Sequence, residues 1–118
     1  MTGMTPERLF GALSDSTRLR AIMLIQSEGE LCVCELTHAL EESQPKISRH
    51  LATLRDAGIV TARRSGTWMH YRVNPELPAW ARRSLERVYP QLHGLERFAG
   101  DRARLRAMAE RPGEPRCA

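Results

Sequence analysis

Two thiols stand close together in the first third of the chain, in the run Cys32-Val33-Cys34. Thiolates at this spacing can share one soft cation, because sulfur favours zinc, cadmium, copper(I) and, by the same softness, trivalent arsenic or antimony. The spacing alone is weak evidence, since cysteine is also a common core residue. The pair is therefore either a ligand pair for a soft ion or two structural thiols.

Helix geometry restricts how such a pair can act. Residues i and i+2 of a regular helix diverge by about 200°, so two helical cysteines at this spacing cannot bind the same ion. We therefore expect Cys32 and Val33 to lie outside regular helix and Cys34 to open a helix that runs to Leu40. A helix N-terminus favours thiolate, which predicts a lowered thiol pKa there. Ligand binding should then distort the start of this helix.

A third ligand for the ion is not evident nearby. Cys117 is the only other thiol and lies in a tail rich in Pro and Gly, so it could reach back to this pair or to the pair of a partner subunit. Thr37 follows Cys34 by one turn, but a hydroxyl is a poor ligand for a soft ion. An odd number of cysteines, in a chain whose start does not resemble a signal peptide, indicates thiols and not a disulfide framework.

Length and charge restrict the class of protein. The 118 residues fit one domain with a modest core, to which oligomerisation would add burial. The net charge is −4 over residues 1–43, +5 over 44–73 and +3 over 74–118. A basic middle segment indicates a polyanionic partner, with a solvated surface as the alternative. No stretch approaches the roughly 20 apolar residues of a membrane span, so we expect a cytoplasmic protein with no membrane partner.

The elements around the thiols predict a winged helix-turn-helix, a mainly α fold with a β-hairpin wing. Apolar periodicity and capping residues indicate helices over residues 5–13, 17–27, 34–40 and 43–57, followed by strands over 59–63 and 67–73. In the fourth helix, Ile47, Leu51 and Leu54 form an apolar face. Polar and basic side chains form the opposite face, which suits base edges and phosphates in a DNA groove. The residues that this pattern predicts to bind DNA are Ser43, Gln44, Lys46, Ser48 and Arg49 of the helix and Arg63, Arg64 and Thr67 of the hairpin.

The C-terminal part is predicted to be helical. Leu85, Val88, Leu92 and Leu95 recur as in a packing seam, and Pro90 predicts a kink or a restart near Gln91. We expect a DNA-binding and sensing region over residues 1–75, a helical dimerisation region over 76–110 and a mobile tail over 111–118, all within one structural domain.

Four motifs in this order resemble the ArsR/SmtB family of metal-responsive repressors, and its arsenic-responsive branch in particular. They span Leu13–Arg20, Glu30–Leu36, Ser43–Leu51 and Gly66–Arg72. The resemblance covers about residues 5–75. It implies a homodimeric winged-helix repressor that binds an inverted-repeat operator in double-stranded DNA and is released by arsenite or antimonite, with no permanent cofactor.

The resemblance also completes the set of expected site residues. It adds His50, within the recognition-helix motif, to the DNA-binding set, and it makes Cys32 and Cys34 ligands of the inducer. The usual third cysteine of the arsenic box is Thr37 here, so Cys117 or a small solution thiol is needed to complete the site. A thiol redox-sensing repressor and a sensor of another soft metal such as cadmium stay open. An enzyme is not expected, because no Gly-rich phosphate loop accompanies the cysteines.

Overall fold

The computed structural model describes residues 3–108, which form helices around a small antiparallel sheet. The elements in chain order are α1 Pro6–Leu13, α2 Ser16–Glu28, β1 Leu31–Cys32, α3 Val33–Leu40, α4 Gln44–Asp56, β2 Val60–Ser65, β3 Trp68–Val73, α5 Ala79–His93 and α6 Glu96–Ala107. The pair α3–α4 followed by the β2–β3 hairpin confirms the predicted mainly α, winged helix-turn-helix fold.

Local capping interactions set the bounds of the helix-turn-helix. The Ser43 side chain accepts the backbone N–H of Lys46 at 3.4 Å and so begins α4, as its sequence position predicts. In the turn, Glu41 has φ 56°, a left-handed conformation that costs a non-glycine residue about 1–2 kcal/mol. The apolar faces of α2, α3 and α4 meet in one core. Its fully buried side chains include Ile22, Ile25, Leu36, Leu40, Ile47, Leu51 and Leu54.

The sheet contains a strand that the sequence analysis did not predict. The strand order is β1-β3-β2, and β1 pairs antiparallel with β3, so that Leu31 lies opposite Tyr71 and Cys32 opposite His70. Two residues are too few to show the alternation that identifies a strand. The pairing joins the thiol segment directly to the wing.

Of the two alternatives predicted at Pro90, the restart of the helix near Gln91 is wrong, and the kink stays a prediction. α5 continues through Pro90 to His93, and the break falls at Gly94 and Leu95 instead. Pro90 is exposed, and so is Glu86, whose carbonyl loses the hydrogen bond, so water can satisfy that carbonyl. The division at residue 75 and the dimerisation role of residues 76–110 stay predictions, and residues 111–118 lie outside the described part of the chain.

A buried carboxylate fixes α6 to the helix-turn-helix. Asp101, which is 1% exposed, accepts from Arg20 of α2 at 2.6 and 3.0 Å and from Arg104 at 2.7 Å. The same two guanidiniums donate to the last carbonyls of α3, Arg20 to Leu40 at 3.2 Å and Arg104 to Ala39 at 2.7 Å. Asp101 therefore positions the two cations that cap the C-terminus of α3, next to the turn.

Asp101→Asn removes the charge that both arginines share while keeping the size of the side chain. Breaking a buried ion pair destabilises strongly, and because both arginines are partly exposed we expect a loss of about 2–3 kcal/mol in the free energy of unfolding. Urea denaturation at fixed protein concentration measures it. Asp56→Asn is the matched control, because Asp56 is exposed on α4, and should change stability by less than about 0.5 kcal/mol. Equal losses for the two variants would contradict this role of Asp101.

Candidate nucleic-acid interface and thiol site

The outward face of α4 carries polar side chains that solvent can reach. Ser43, Gln44, Ser48 and Arg49 are exposed, whereas Ile47 on the opposite side is buried. Lys46 lies between the two faces and pairs with Glu42 one turn earlier, with Nζ and Oε1 3.0 Å apart. The arrangement gives a rigid helix with hydrogen-bond donors and acceptors on its exposed side, as groove binding requires.

His50 departs from the rest of the predicted DNA-binding set. Its side chain is only 15% exposed and turns toward the N-terminus of α2. There Nδ1 lies 3.2 Å from Nη1 of Arg18, and Nε2 lies 3.8 Å from Oδ2 of Asp15. The ring therefore contacts the domain itself, a placement that adjacency to Arg49 in the sequence does not reveal.

The wing presents two arginines with different surroundings. Arg63, Arg64 and Thr67 are exposed near the hairpin tip, where Gly66 adopts φ 64° in the turn. Arg63 forms a bidentate pair with Glu30, with N···O distances of 2.6 and 2.8 Å, and this pair lowers the pKa of the Glu30 carboxyl. For Arg64 there is no ion pair within residues 3–108, so its charge is available to a phosphate.

Cys32 lies at the junction of the sheet and the helix-turn-helix. It ends β1 and is the N-cap of α3, where its sulfur accepts the Glu35 backbone N–H and the Glu35 carboxylate accepts the Cys32 backbone N–H at 3.0 Å. Cys32 is 0% exposed, and burial raises the pKa of its thiol. Desolvation of the Cys32 thiol outweighs the backbone hydrogen bonds to its sulfur.

Cys34 occupies the second position of α3, is partly buried and is disulfide-bonded, so the expectation of free thiols is wrong for Cys34 and holds for Cys32. Val33 is the first helical residue, so the expectation that it lies outside the helix is wrong, while Cys32 does lie outside, as expected. One turn later, the buried Thr37 Oγ1 has no hydrogen-bond partner among the described residues, and His38 is exposed. Cys117 lies outside the described residues.

The described residues were compared with the requirements of a metal-ligand cluster and of a membrane-spanning helix. Between residues 3 and 108, no group of three or more His, Cys, Asp or Glu side chains is placed to hold a metal ion. Over the same residues, no helix is both long enough and apolar enough to cross a bilayer.

Comparisons with known proteins decide the family. A family model described as "Bacterial regulatory protein, arsR family" matches residues 15–62. The arsenic resistance transcriptional regulator ArsR1 of Pseudomonas putida is 54% identical over 112 residues, which cover 95% of this chain and 86% of that relative. The chain belongs to the ArsR family. This ArsR-family chain is a DNA-binding transcriptional regulator, and that class of protein is not an enzyme class.

Solved structures agree with the fold of this ArsR-family chain. The AntR antimony-specific transcriptional repressor is similar with a TM-score of 0.60 and 32% identity, over 72% of this chain and 74% of that one. The homodimeric winged helix-turn-helix domain Mb0332 of Mycobacterium bovis is similar with a TM-score of 0.62 and 27% identity, over 81% of this chain and 94% of that one.

Arg64→Ala and Arg63→Ala should separate the two wing arginines. We expect Arg64→Ala to reduce the slope of log Kd against log salt concentration by about one, because a phosphate contact releases about one counterion. Arg63→Ala should change the slope less, because Glu30 already neutralises that charge. Fluorescence anisotropy with a labelled duplex at several salt concentrations measures both slopes.

Arg87→Ala is the control for the wing variants. It removes the same charge from an exposed position on α5, outside the helix-turn-helix and the wing, and should leave the slope unchanged. A larger effect for Arg63→Ala than for Arg64→Ala would contradict the assignment.

Proposed function

We propose that this ArsR-family chain is an arsenite- or antimonite-responsive repressor that binds an inverted-repeat operator as a dimer and dissociates when the metalloid binds the thiolates of Cys32 and of reduced Cys34. The observation that carries the proposal is the placement of the two cysteines at the N-terminus of α3, the first helix of the helix-turn-helix. The names of the relatives support an arsenic or antimony inducer. A repressor of this class acts in the cytoplasm, where its operator lies.

The donor set suits a soft trivalent ion. Two sulfur atoms flank the start of α3, one on the non-helical residue Cys32 and one on the helical residue Cys34, which avoids the divergence of two helical side chains at this spacing. Thr37 offers an oxygen, which is a poor donor for such an ion. We therefore keep Cys117 or a small solution thiol as the third ligand, and we assign no permanent cofactor.

Binding of the metalloid to the Cys32 sulfur would compete with the role of that sulfur at the N-cap of α3. The sulfur accepts a backbone N–H at the start of α3, and a sulfur that shares its electron pairs with an ion is a weaker acceptor for that N–H. The start of α3 and the pairing of β1 with β3 would then both change, and with them the positions of α4 and the wing. The coupling must be reciprocal, so operator DNA should weaken metalloid binding by the same factor.

The DNA contacts are assigned to the exposed face of α4 and the tip of the wing. Arg49 and Lys46 suit guanine or phosphate, Gln44 suits adenine, and the N–H groups at the Ser43 end suit a phosphate. Ser48 adds a hydroxyl to the same face. Arg63, Arg64 and Thr67 would contact the backbone or the minor groove from the wing.

A homodimer would cover an apolar surface on α1 and α5. Phe10 is 55% exposed, Val88 41% and Leu95 49%, and Phe10 and Val88 border the same groove between α1, α2 and α5. Leu85, from the same predicted seam, is buried within the fold, so the seam serves both the core and this surface. The homodimeric relative supports a second copy of this chain as the occupant. A two-fold dimer fits an inverted-repeat operator.

Cys32→Ser, Cys34→Ser and the double variant test the inducer site. Each should bind operator DNA like the wild type, because serine is nearly isosteric with cysteine and is a good N-cap at position 32, but should not respond to arsenite or antimonite. In the wild type, with a phosphine reductant present, we expect the metalloid to weaken DNA binding by about 5- to 150-fold. Anisotropy titrations with arsenite, antimonite, cadmium and zinc measure the response.

Cys117→Ser, with and without glutathione, identifies the third ligand. Loss of response that glutathione restores would assign it to Cys117. DNA release by arsenite from the double cysteine variant would overturn the proposal. Release by peroxide with no metal present would favour a redox sensor instead, and a stronger response to cadmium would favour a different soft metal.

Val88→Glu should separate the subunits. It places a charge in the apolar surface, and we expect the dimer dissociation constant to rise by at least tenfold, because an unpaired charge in an interface is strongly unfavourable. Ala79→Glu is the matched control, since residue 79 lies on the opposite side of α5 and is exposed. Sedimentation velocity gives the association state, and a dimer unaffected by Val88→Glu would place the interface elsewhere.

A further inference from the structure

We propose that His50 is a positioning residue that fixes the recognition helix α4 to the junction of α1 and α2 in its neutral form, and that its protonation weakens DNA binding. The inference rests on the proposed binding of DNA by α4. It reassigns a residue of the expected DNA-binding set to a role inside the domain.

A chain of contacts leads from His50 to two other helices. Arg18 Nη1 lies 3.2 Å from His50 Nδ1, and Arg18 Nε donates to the carbonyl of Ala12, the penultimate residue of α1, at 2.7 Å. Asp15, the N-cap of α2, accepts the Arg18 backbone N–H at 3.0 Å and faces His50 Nε2 at 3.8 Å. His50 thus connects α4 to the end of α1 and the start of α2.

The partners determine which ring nitrogen carries the proton. A guanidinium only donates hydrogen bonds, so Nδ1 of His50 must be the acceptor toward Arg18. The proton of the neutral ring is then on Nε2, the nitrogen that faces the Asp15 carboxylate. Protonation would place an N–H on Nδ1 directly against an N–H of Arg18, and the hydrogen bond would be lost to repulsion between two cations.

The charges around the ring favour its neutral form. Arg18 faces it from α2, and Lys46 and Arg49 lie on α4 itself, against the single carboxylate of Asp15. Burial, the largest cause, and the three cations lower the pKa of His50 below its usual 6.5, while Asp15 opposes them. Because the folded pKa is the lower one, the stabilisation is complete above about pH 6.5 and is lost as the pH falls through the folded value.

This hydrogen bond supplies a constraint that the core cannot. Ile47, Leu51 and Leu54 hold α4 through apolar contacts, which are not directional. The bond from Arg18 to His50 is directional and lies at the edge of that apolar face, so it restricts rotation of α4 about its own axis. The rotation of α4 in turn sets where Ser48 and Arg49 point.

The pH dependence of DNA affinity distinguishes a positioning role of His50 from a direct contact between His50 and a phosphate. The two roles predict opposite changes in affinity as the pH falls. The probe is a duplex selected for tight binding from a random pool, at constant ionic strength between pH 5.5 and 8. We expect wild-type affinity to fall with falling pH. His50→Asn, whose Oδ1 can accept from Arg18 in place of Nδ1, should keep most of the affinity without this decline. His50→Ala should bind roughly tenfold more weakly at pH 7.5 with an unchanged salt slope.

A contact between His50 and a phosphate would give the reverse pattern. Wild-type affinity would then rise as the pH falls, since a protonated ring attracts phosphate, and His50→Ala would reduce the salt slope near pH 6. Either result would overturn the inference, and so would a decline at low pH that His50→Asn shares with the wild type.

A measurement without DNA separates this inference from the proposed function. Nitrogen-15 NMR of labelled histidine identifies the tautomer, with the His50 signal assigned by its loss in His50→Asn. We expect the Nε2–H form at pH 7.5. Asp15→Asn keeps an N-cap but removes the carboxylate, and it should move the His50 titration to lower pH. An Nδ1–H tautomer, or a titration that Asp15→Asn leaves in place, would overturn the inference even if DNA binding were normal.

Discussion

The backbone N–H groups at the start of α3 need acceptors, and the sulfur of Cys32 is one of them. The same residue ends β1 and lies opposite His70 of β3, so one position sets where α3 begins and how the wing joins the domain. A serine could cap the helix equally well, but it could not bind a soft ion. A cysteine here combines both properties, at the cost of a thiol that burial keeps protonated.

The two elements to which we assign the DNA contacts, α4 and the wing, depend on contacts that lie behind them. α4 is held by its apolar face against the core and by the contact between His50 and Arg18 at one edge. The wing is held by the pairing of β1 with β3 and by the bidentate pair between Glu30 and Arg63. The wing contacts include Glu30 and Cys32 themselves, so in the proposed mechanism a change in that segment would reach the wing directly.

Local signals were enough to predict the fold class, the helix α4 with its apolar face, and the position of Cys32 outside regular helix. Capping by Thr5, Asp15 and Ser43 and the apolar spacing of Ile47 and Leu51 act within a few residues, so the sequence displays them directly. Contacts between distant residues were not predictable in this way. Arg20 and Asp101 are separated by 81 positions, β1 is too short to show a pattern, and the inward orientation of His50 depends on where α2 lies. At Pro90 the local signal wrongly predicted a restart of the helix, because an exposed helix tolerates one missing hydrogen bond.

The two ends of α3 are held by chemically different means, and this bears on how a change at Cys32 would spread. At the C-terminus, Arg20 and Arg104 bind the last carbonyls and are themselves fixed by the buried Asp101. At the N-terminus, the cap is one sulfur and one carboxylate. A helix released at its N-terminus and fixed at its C-terminus would pivot more readily than slide. Since the fixed end adjoins the turn before α4, such a pivot changes the angle between α3 and α4, which a rigid groove contact senses directly. In the proposed mechanism, the path from Cys32 to α4 would therefore be a single helix of eight residues.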